Sequence, residues 1–153
     1  MTQSGSLDLG YGLLKLDTVN GTDLCFTAFR PGSYTAEGMT TDGVQAMVRK
    51  NGANVQGLYL GGGTTLKVDG GSIARSASGL AYVEVSSDGN YIVGNPSPSE
   101  ATVTVSLPAL NGLKAYMLDD SGKQTGPATV TASGSGTVAA TLKAGTRIEL
   151  SSK

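Results

Sequence analysis

The sequence has no histidine and no tryptophan, holds a single cysteine, and nowhere carries an apolar run long enough to cross a bilayer. Each absence closes off a class of function. Without histidine, the commonest general base and the commonest metal ligand are missing, and a Ser-His-Asp arrangement is ruled out. A lone Cys25 cannot close an internal disulfide and excludes a thiolate metal cluster. Its position inside Leu24-Cys25-Phe26 predicts a buried, inert thiol, because free cysteine behaves as a small hydrophobe. A membrane helix needs about 20 apolar residues, so the chain is expected to be soluble, with no membrane partner. Charge is scarce, at 15% of residues, and the 11 basic side chains are interspersed with 12 acidic ones. Neutralising phosphates takes a concentrated basic face, which excludes nucleic acid as the expected partner. The opening Met-Thr-Gln-Ser-Gly-Ser lacks the charged start and apolar core of a signal peptide. If the parent protein is secreted, the chain therefore reads as a piece excised from it, with residues 1–10 as a flexible lead.

What the sequence does contain is 23 glycines, much Ser, Thr and Ala, and 39% apolar residues spread in short runs. No segment keeps a 3.6-residue apolar period over a helical length, and β-type runs alternate with turn residues from end to end. Strands are expected at Tyr11-Leu16, Asp23-Arg30, Val44-Lys50, Val55-Leu60, Thr64-Val68, Leu80-Ser86, Tyr91-Gly94, Ala101-Leu107, Leu113-Leu118, Ala128-Thr131, Gly136-Leu142 and Thr146-Leu150. Between them, Asn20-Gly21, Asp42-Gly43, Asn51-Gly52, Asp69-Gly70-Gly71, Asp88-Gly89 and Ser121-Gly122 supply residues suited to tight turns. Alternation turns Val103, Val105 and Leu107 inward, likewise Val138, Ala140 and Leu142, and likewise Ile148 and Leu150. In Asp23-Arg30 both alternating sets are apolar, which predicts a central strand covered on each face. About twelve short strands are too many for one open sheet, so the fold class is all-β, a two-sheet antiparallel β-sandwich. Residues 11–153 form one domain on this reading, with Asn95-Pro96-Ser97-Pro98 as the place for a sub-boundary.

The polar residues do not assemble an obvious catalyst. Asp119 and Asp120 are adjacent and precede Ser121-Gly122, the setting of turn formers rather than of paired catalytic carboxylates. Gly61-Gly62-Gly63-Thr64-Thr65 lacks the Lys-Ser/Thr ending of a phosphate loop and has no helix behind it, so it reads as a hairpin or bulge. No cofactor is called for. A calcium site built from loop oxygens is compatible with such a module, but no dense Asp spacing specifies one.

Sugar-binding surfaces present aromatic rings beside a few polar groups that fix orientation. Alternation puts Tyr82 on one face with Glu84, opposite Ala81, Val83 and Val85, which makes it the best candidate for an outward ring. Tyr34 follows Arg30-Pro31-Gly32-Ser33, and an arginine beside a ring would suit an acidic sugar. Arg49 and Lys50 stand next to the Asn51-Gly52 turn. The candidate ligand-binding residues are thus Arg30, Tyr34, Arg49, Lys50 and Tyr82; for each, the plainer reading is a solvated charge or a tyrosine at the core edge.

Three stretches resemble the C-terminal β-sandwich of heparinase II/III-type and related polysaccharide lyases. Asp23-Leu24-Cys25-Phe26-Thr27-Ala28-Phe29-Arg30-Pro31 is similar to their strand that runs into an Arg-Pro turn. Gly57-Leu58-Tyr59-Leu60-Gly61-Gly62-Gly63-Thr64-Thr65-Leu66-Lys67-Val68-Asp69-Gly70 resembles their hairpin with a Leu-Gly-Gly bend. Leu80-Ala81-Tyr82-Val83-Glu84-Val85, with Asn90 to Asn95 and Ala101 to Val105, completes the likeness, and Leu113 to Leu150 resembles the closing hairpins of glycosidase-associated sandwiches. In such enzymes other domains supply most catalytic residues. The resemblance implies a non-catalytic accessory or carbohydrate-binding module of a secreted enzyme, extracellular or periplasmic, whose partners are an acidic polysaccharide and the parent's catalytic domain. The alternatives are a purely structural support domain, which would expose a wide apolar docking patch, and a protein-interaction or adhesion module.

Overall fold

The computed structural model describes residues 1–6, 10–110, 113–133 and 136–151. These are all-β, with antiparallel strands and no helix among them: β1 (Thr2–Ser6), β2 (Tyr11–Thr18), β3 (Gly21–Ala28), β4 (Tyr34–Ala36), β5 (Met39–Thr41), β6 (Gln45–Asn51), β7 (Asn54–Val68), β8 (Gly71–Val85), β9 (Tyr91–Asn95), β10 (Ala101–Ser106), β11 (Lys114–Leu118), β12 (Gln124–Pro127), β13 (Thr131–Ala132), β14 (Thr137–Leu142) and β15 (Thr146–Ser151). No helix among the described residues is long and apolar enough to cross a membrane.

The organising element is the hairpin of β7 and β8, each 15 residues long and shared by both layers of a β-sandwich. In the larger sheet, the order β1-β2-β3-β6-β7-β8-β9-β15-β11-β12 uses the Gly57–Gly61 part of β7 against Leu80–Glu84 of β8. In the smaller one, Thr65–Val68 of β7 and Gly71–Ala74 of β8 lie between β5 on one side and β10, β14 and β13 on the other. The register shifts between Gly61 and Thr65, where the hairpin passes from layer to layer.

Backbone crowding explains the glycines at that passage. A Cβ on Gly63 would fall on the Gly43 backbone and on Asp42 Oδ1, so no larger residue fits the strand crossing. The Asp42 carboxylate accepts hydrogen bonds from the Thr64 amide (2.8 Å), the Thr65 amide (2.7 Å) and the Thr64 hydroxyl. Burial alone would raise its pKa, and these donors more than offset that, so the carboxyl titrates below its ordinary value.

Between the layers lies one core cluster that draws on both sides of the Asn95–Pro98 connector, including Leu58, Leu60, Leu66, Ile73, Val83, Val103, Val138 and Ile148. Full burial of each such side chain is worth about 1.5–3 kcal/mol. Alternation holds where it was clearest: Val103, Val105, Leu107, Val138, Ala140, Leu142, Ile148 and Leu150 are all buried. The connector itself is a clasp. Fully buried Asn95 donates from Nδ2 to the carbonyls of Ser99 (2.8 Å) and Leu142 (2.9 Å), and accepts from Arg75 Nη2 (3.0 Å).

Several expectations need correction. Residues 2–6 of the anticipated flexible lead form β1, because the free edge of β2 offers unpaired backbone groups to an extended segment. Val55-Leu60 and Thr64-Val68 are halves of one strand, and of the two readings of the triple glycine between them, hairpin or bulge, the bulge is the one that holds. Of the expected Ala128-Thr131 strand only Thr131 belongs to a strand, β13; the rest lies between β12 and β13. The hairpin β4–β5 was not anticipated; its turn residues Glu37 and Gly38 both have positive φ, 49° and 74°, and it lies over a cluster of Tyr11, Phe26 and Tyr34. The most consequential difference concerns β3. It is central within its sheet, between β2 and β6, but one face is bare: Leu24 and Phe26 are buried while Cys25 and Thr27 are exposed. The thiol is therefore accessible rather than buried.

Candidate functional site

The two outer faces of the sandwich differ in chemistry. On the smaller sheet, Thr102, Thr104 and Ser106 of β10 stand opposite Thr141, Ala139 and Thr137 of β14, and Ser72 and Ala74 of β8 continue the same surface to Lys67 and Thr65 of β7. Hydroxyls pair across it, Thr102 with Thr141 at 3.0 Å and Ser106 with Thr137 at 2.9 Å. This is an ordinary wet face.

On the larger sheet the registers line up a different row. Leu14 stands opposite Cys25, Cys25 opposite Met47, Met47 opposite Tyr59, Tyr59 opposite Tyr82, and Tyr82 opposite Gly94. Since cross-strand partners share a face, this apolar and aromatic ridge runs across six strands on the side away from the core. Met47 keeps 38% of its surface exposed, and Leu16 beside the ridge 40%. Glycines shape it. Gly94 lets the Tyr82 ring reach over the neighbouring strand, for a Cβ there would collide with Cε1 and Cζ of that ring.

The next row across the sheet is polar: Asp23, Arg49, Gly57, Glu84, then Ile92 and Glu149. Gly57, without a side chain, leaves a gap between Arg49 and Glu84. The result is a cleft of about 500 Å³ lined by Tyr59, Tyr82 and Met47 of the ridge, by Arg49 and Glu84 of the polar row, and by Asn51 and Gln56. A shallower apolar groove of about 380 Å³, lined by Leu14, Cys25 and Thr27, continues the ridge toward β2.

Electrostatics in the cleft are dominated by a forked ion pair. Arg49 donates from Nε to Asp23 Oδ1 at 2.9 Å and from Nη2 to Oδ2 at 3.1 Å. The hydrogen bond from Arg49 holds the Asp23 carboxyl below its usual range, and the same contact raises the guanidinium's own pKa, with Glu84 adding a weaker attraction.

The five candidate residues do not form one site. Arg49 and Tyr82 line the cleft together, and Tyr82 shares its face with Glu84, the face that alternation assigns to it. Lys50, just beyond, donates from Nζ to the Asp69 carbonyl at 3.1 Å. Arg30 and Tyr34 follow the other end of β3, roughly 20 Å away at about 3.3 Å per residue. Tyr34 there packs against Tyr11 and Phe26, with centroids 5.8 and 5.3 Å apart, and its hydroxyl donates to the Arg30 carbonyl at 2.8 Å. That is the packing of a ring at the core edge, and Arg30 is exposed. Tyr59 is not among the five candidates. Alternation around Leu58 and Leu60 carries the signal for its outward face, but the register that sets it beside Tyr82 does not.

No protein-family model matches this chain, and no curated protein does either.

Among the described residues, no three His, Cys, Asp or Glu side chains gather into a group able to hold a metal ion. The adjacent acids Asp119 and Asp120 serve a turn. Asp119 Oδ1 accepts from the Ser121 amide, the Ser121 hydroxyl and the Lys123 amide, while Arg147 donates to both aspartate carbonyls. The amides of Thr64 and Thr65, which follow the triple glycine, already have the Asp42 carboxylate as their anion.

Proposed function

We propose that this chain is a non-catalytic, glycan-binding accessory module of a secreted polysaccharide-degrading enzyme, and that it binds sugar on the outer face of its larger sheet. The observation that carries the reading is the pairing of Tyr59 with Tyr82 on an uncovered sheet face, beside the polar row that lines the same cleft. Aromatic rings next to charged and amide side chains supply stacking and orientation together, which is what a pyranose with one apolar face and a rim of hydroxyls requires. The non-catalytic part of the reading rests on a sequence without histidine and on Asp42 and Asp119, whose carboxylates serve a clasp and a turn. Affinity electrophoresis against a panel of polysaccharides tests it. Tyr82→Ala should weaken retention about tenfold, or roughly 1.4 kcal/mol, while leaving the fold intact. A chain that no polysaccharide retards would remove the reading.

A second reading is favoured by the apolar ridge itself. Leu14, Cys25 and Met47 are the kind of patch that a support domain buries against its parent. In that case adding the parent's catalytic part should protect the Cys25 thiol from labelling, whereas glycan alone should not.

A further inference from the structure

We infer that the ligand of the cleft is a neutral, hydroxyl-presenting polysaccharide rather than a uronate or sulfated polymer. The inference rests on the glycan-binding reading above and specifies its substrate class.

The cation in the cleft lining, Arg49, is already taken. Its fork engages both oxygens of Asp23 at 2.9 and 3.1 Å, the same two-point geometry a sugar carboxylate would need. A polymer carboxylate would have to displace an intramolecular one that is held in place at no translational cost. Across Gly57 stands Glu84, exposed and directed onto the same face. Two carboxylates against one guanidinium leave this part of the face with a net negative charge, which repels an anionic chain. Lys50 stands outside the cleft lining, its ammonium donating to the Asp69 carbonyl at 3.1 Å; counting its charge brings the sum to neutral, not to positive. Further along the same row, Glu149 adds another carboxylate, which accepts from Asn90 at 3.1 Å and from Gln124 at 2.9 Å.

What repels a carboxylate suits a hydroxyl. Ionised carboxylates accept strong hydrogen bonds from sugar hydroxyls, amide side chains such as Asn51 and Gln56 offer donors and acceptors at once, and a pyranose laid on Tyr59 and Tyr82 would bring its hydroxyl rim to them. Recognition of this kind depends little on ionic strength, while pairing of an anionic polymer with arginine weakens steeply with salt.

The test is affinity electrophoresis and calorimetry of the whole chain with neutral polymers (laminarin, galactomannan, xyloglucan) and acidic ones (alginate, hyaluronan, heparin), at 50 and 500 mM NaCl. The expected result is retardation by at least one neutral polymer, changed less than twofold by salt, and none by the acidic set. In the Asp23→Asn, Glu84→Gln double variant, checked for folding by circular dichroism, the freed Arg49 should bring salt-sensitive retention by alginate that the wild type lacks. Binding of the wild type to an acidic polymer, lost at 500 mM salt, overturns this inference and leaves the glycan-binding reading standing. Binding to nothing overturns both.

Discussion

Removing the Asp42 carboxylate should destabilise the chain in a way whose size and pH dependence can both be worked out. The group sits where the long hairpin passes between layers, and it is the acceptor for two backbone amides and one hydroxyl, at Thr64 and Thr65. A hydrogen bond to an ionised partner contributes about 1.5–3 kcal/mol, but Asp42 is half-buried and water can replace part of what is lost. A loss of about 3 kcal/mol for Asp42→Ala follows, and about half of that for Asp42→Asn, which keeps one acceptor oxygen. The folded carboxyl titrates below its ordinary value. Its contribution is therefore complete above the unfolded pKa, near 3.9, and is lost as the pH falls through the lower folded value. Urea unfolding followed by tyrosine fluorescence and circular dichroism, at pH 7 and near pH 3, measures both effects. The gap between the wild type and Asp42→Asn should be full at neutral pH and narrow as the pH falls below the unfolded pKa. A urea midpoint for Asp42→Ala equal to that of the wild type at pH 7 would refute the claim that this clasp holds the crossing.

Gly94→Ala should push the Tyr82 ring off the neighbouring strand, costing about 1–3 kcal/mol by overpacking and weakening glycan retention, read by thermal melting and affinity electrophoresis. Arg75, only 5% exposed, donates to the Ala77 carbonyl and to Asn95; Arg75→Ala orphans the Asn95 oxygen and opens a void, so urea unfolding should show a loss of about 3 kcal/mol. Cys25 should react with Ellman's reagent in the folded chain at a rate close to that in urea, and strong protection in the isolated chain would mean that its face is covered.

Local signals in the sequence were legible and relations between distant strands were not. Val103, Val105, Val138 and Ile148 could be assigned to the core because period-two alternation is a property of one strand at a time. The same rule set Tyr82 and Glu84 on a common face. It failed at β3, where two apolar faces imply two covers; the alternation records that a face is apolar, not that this chain covers it. Asp42-Gly43 does lie in the bend between β5 and β6, but its carboxylate bonds amides 22 and 23 residues away rather than the next ones, and the two arrangements have the same local sequence. The Gly71–Arg75 half of β8 was missed because Ser72, Ala74 and the nearby serines lack the β-branched character of a strand, and with it went the buried Arg75. The cleft depends on registers among β3, β6, β7 and β8, so Arg49 and Tyr82 were found singly while Tyr59 and Asp23, which complete their surroundings, were not.

The central claim, that the bare aromatic face of the larger sheet is where sugar binds, can be mapped directly by titrating the ¹⁵N-labelled chain with a neutral oligosaccharide and following amide shifts. The account predicts saturable shifts at Gly57, Tyr59, Tyr82, Glu84 and Gly94, with Thr102, Thr104 and Thr141 on the opposite face unmoved. Shifts concentrated on that threonine face, or none for any neutral oligosaccharide at millimolar concentration, would contradict it.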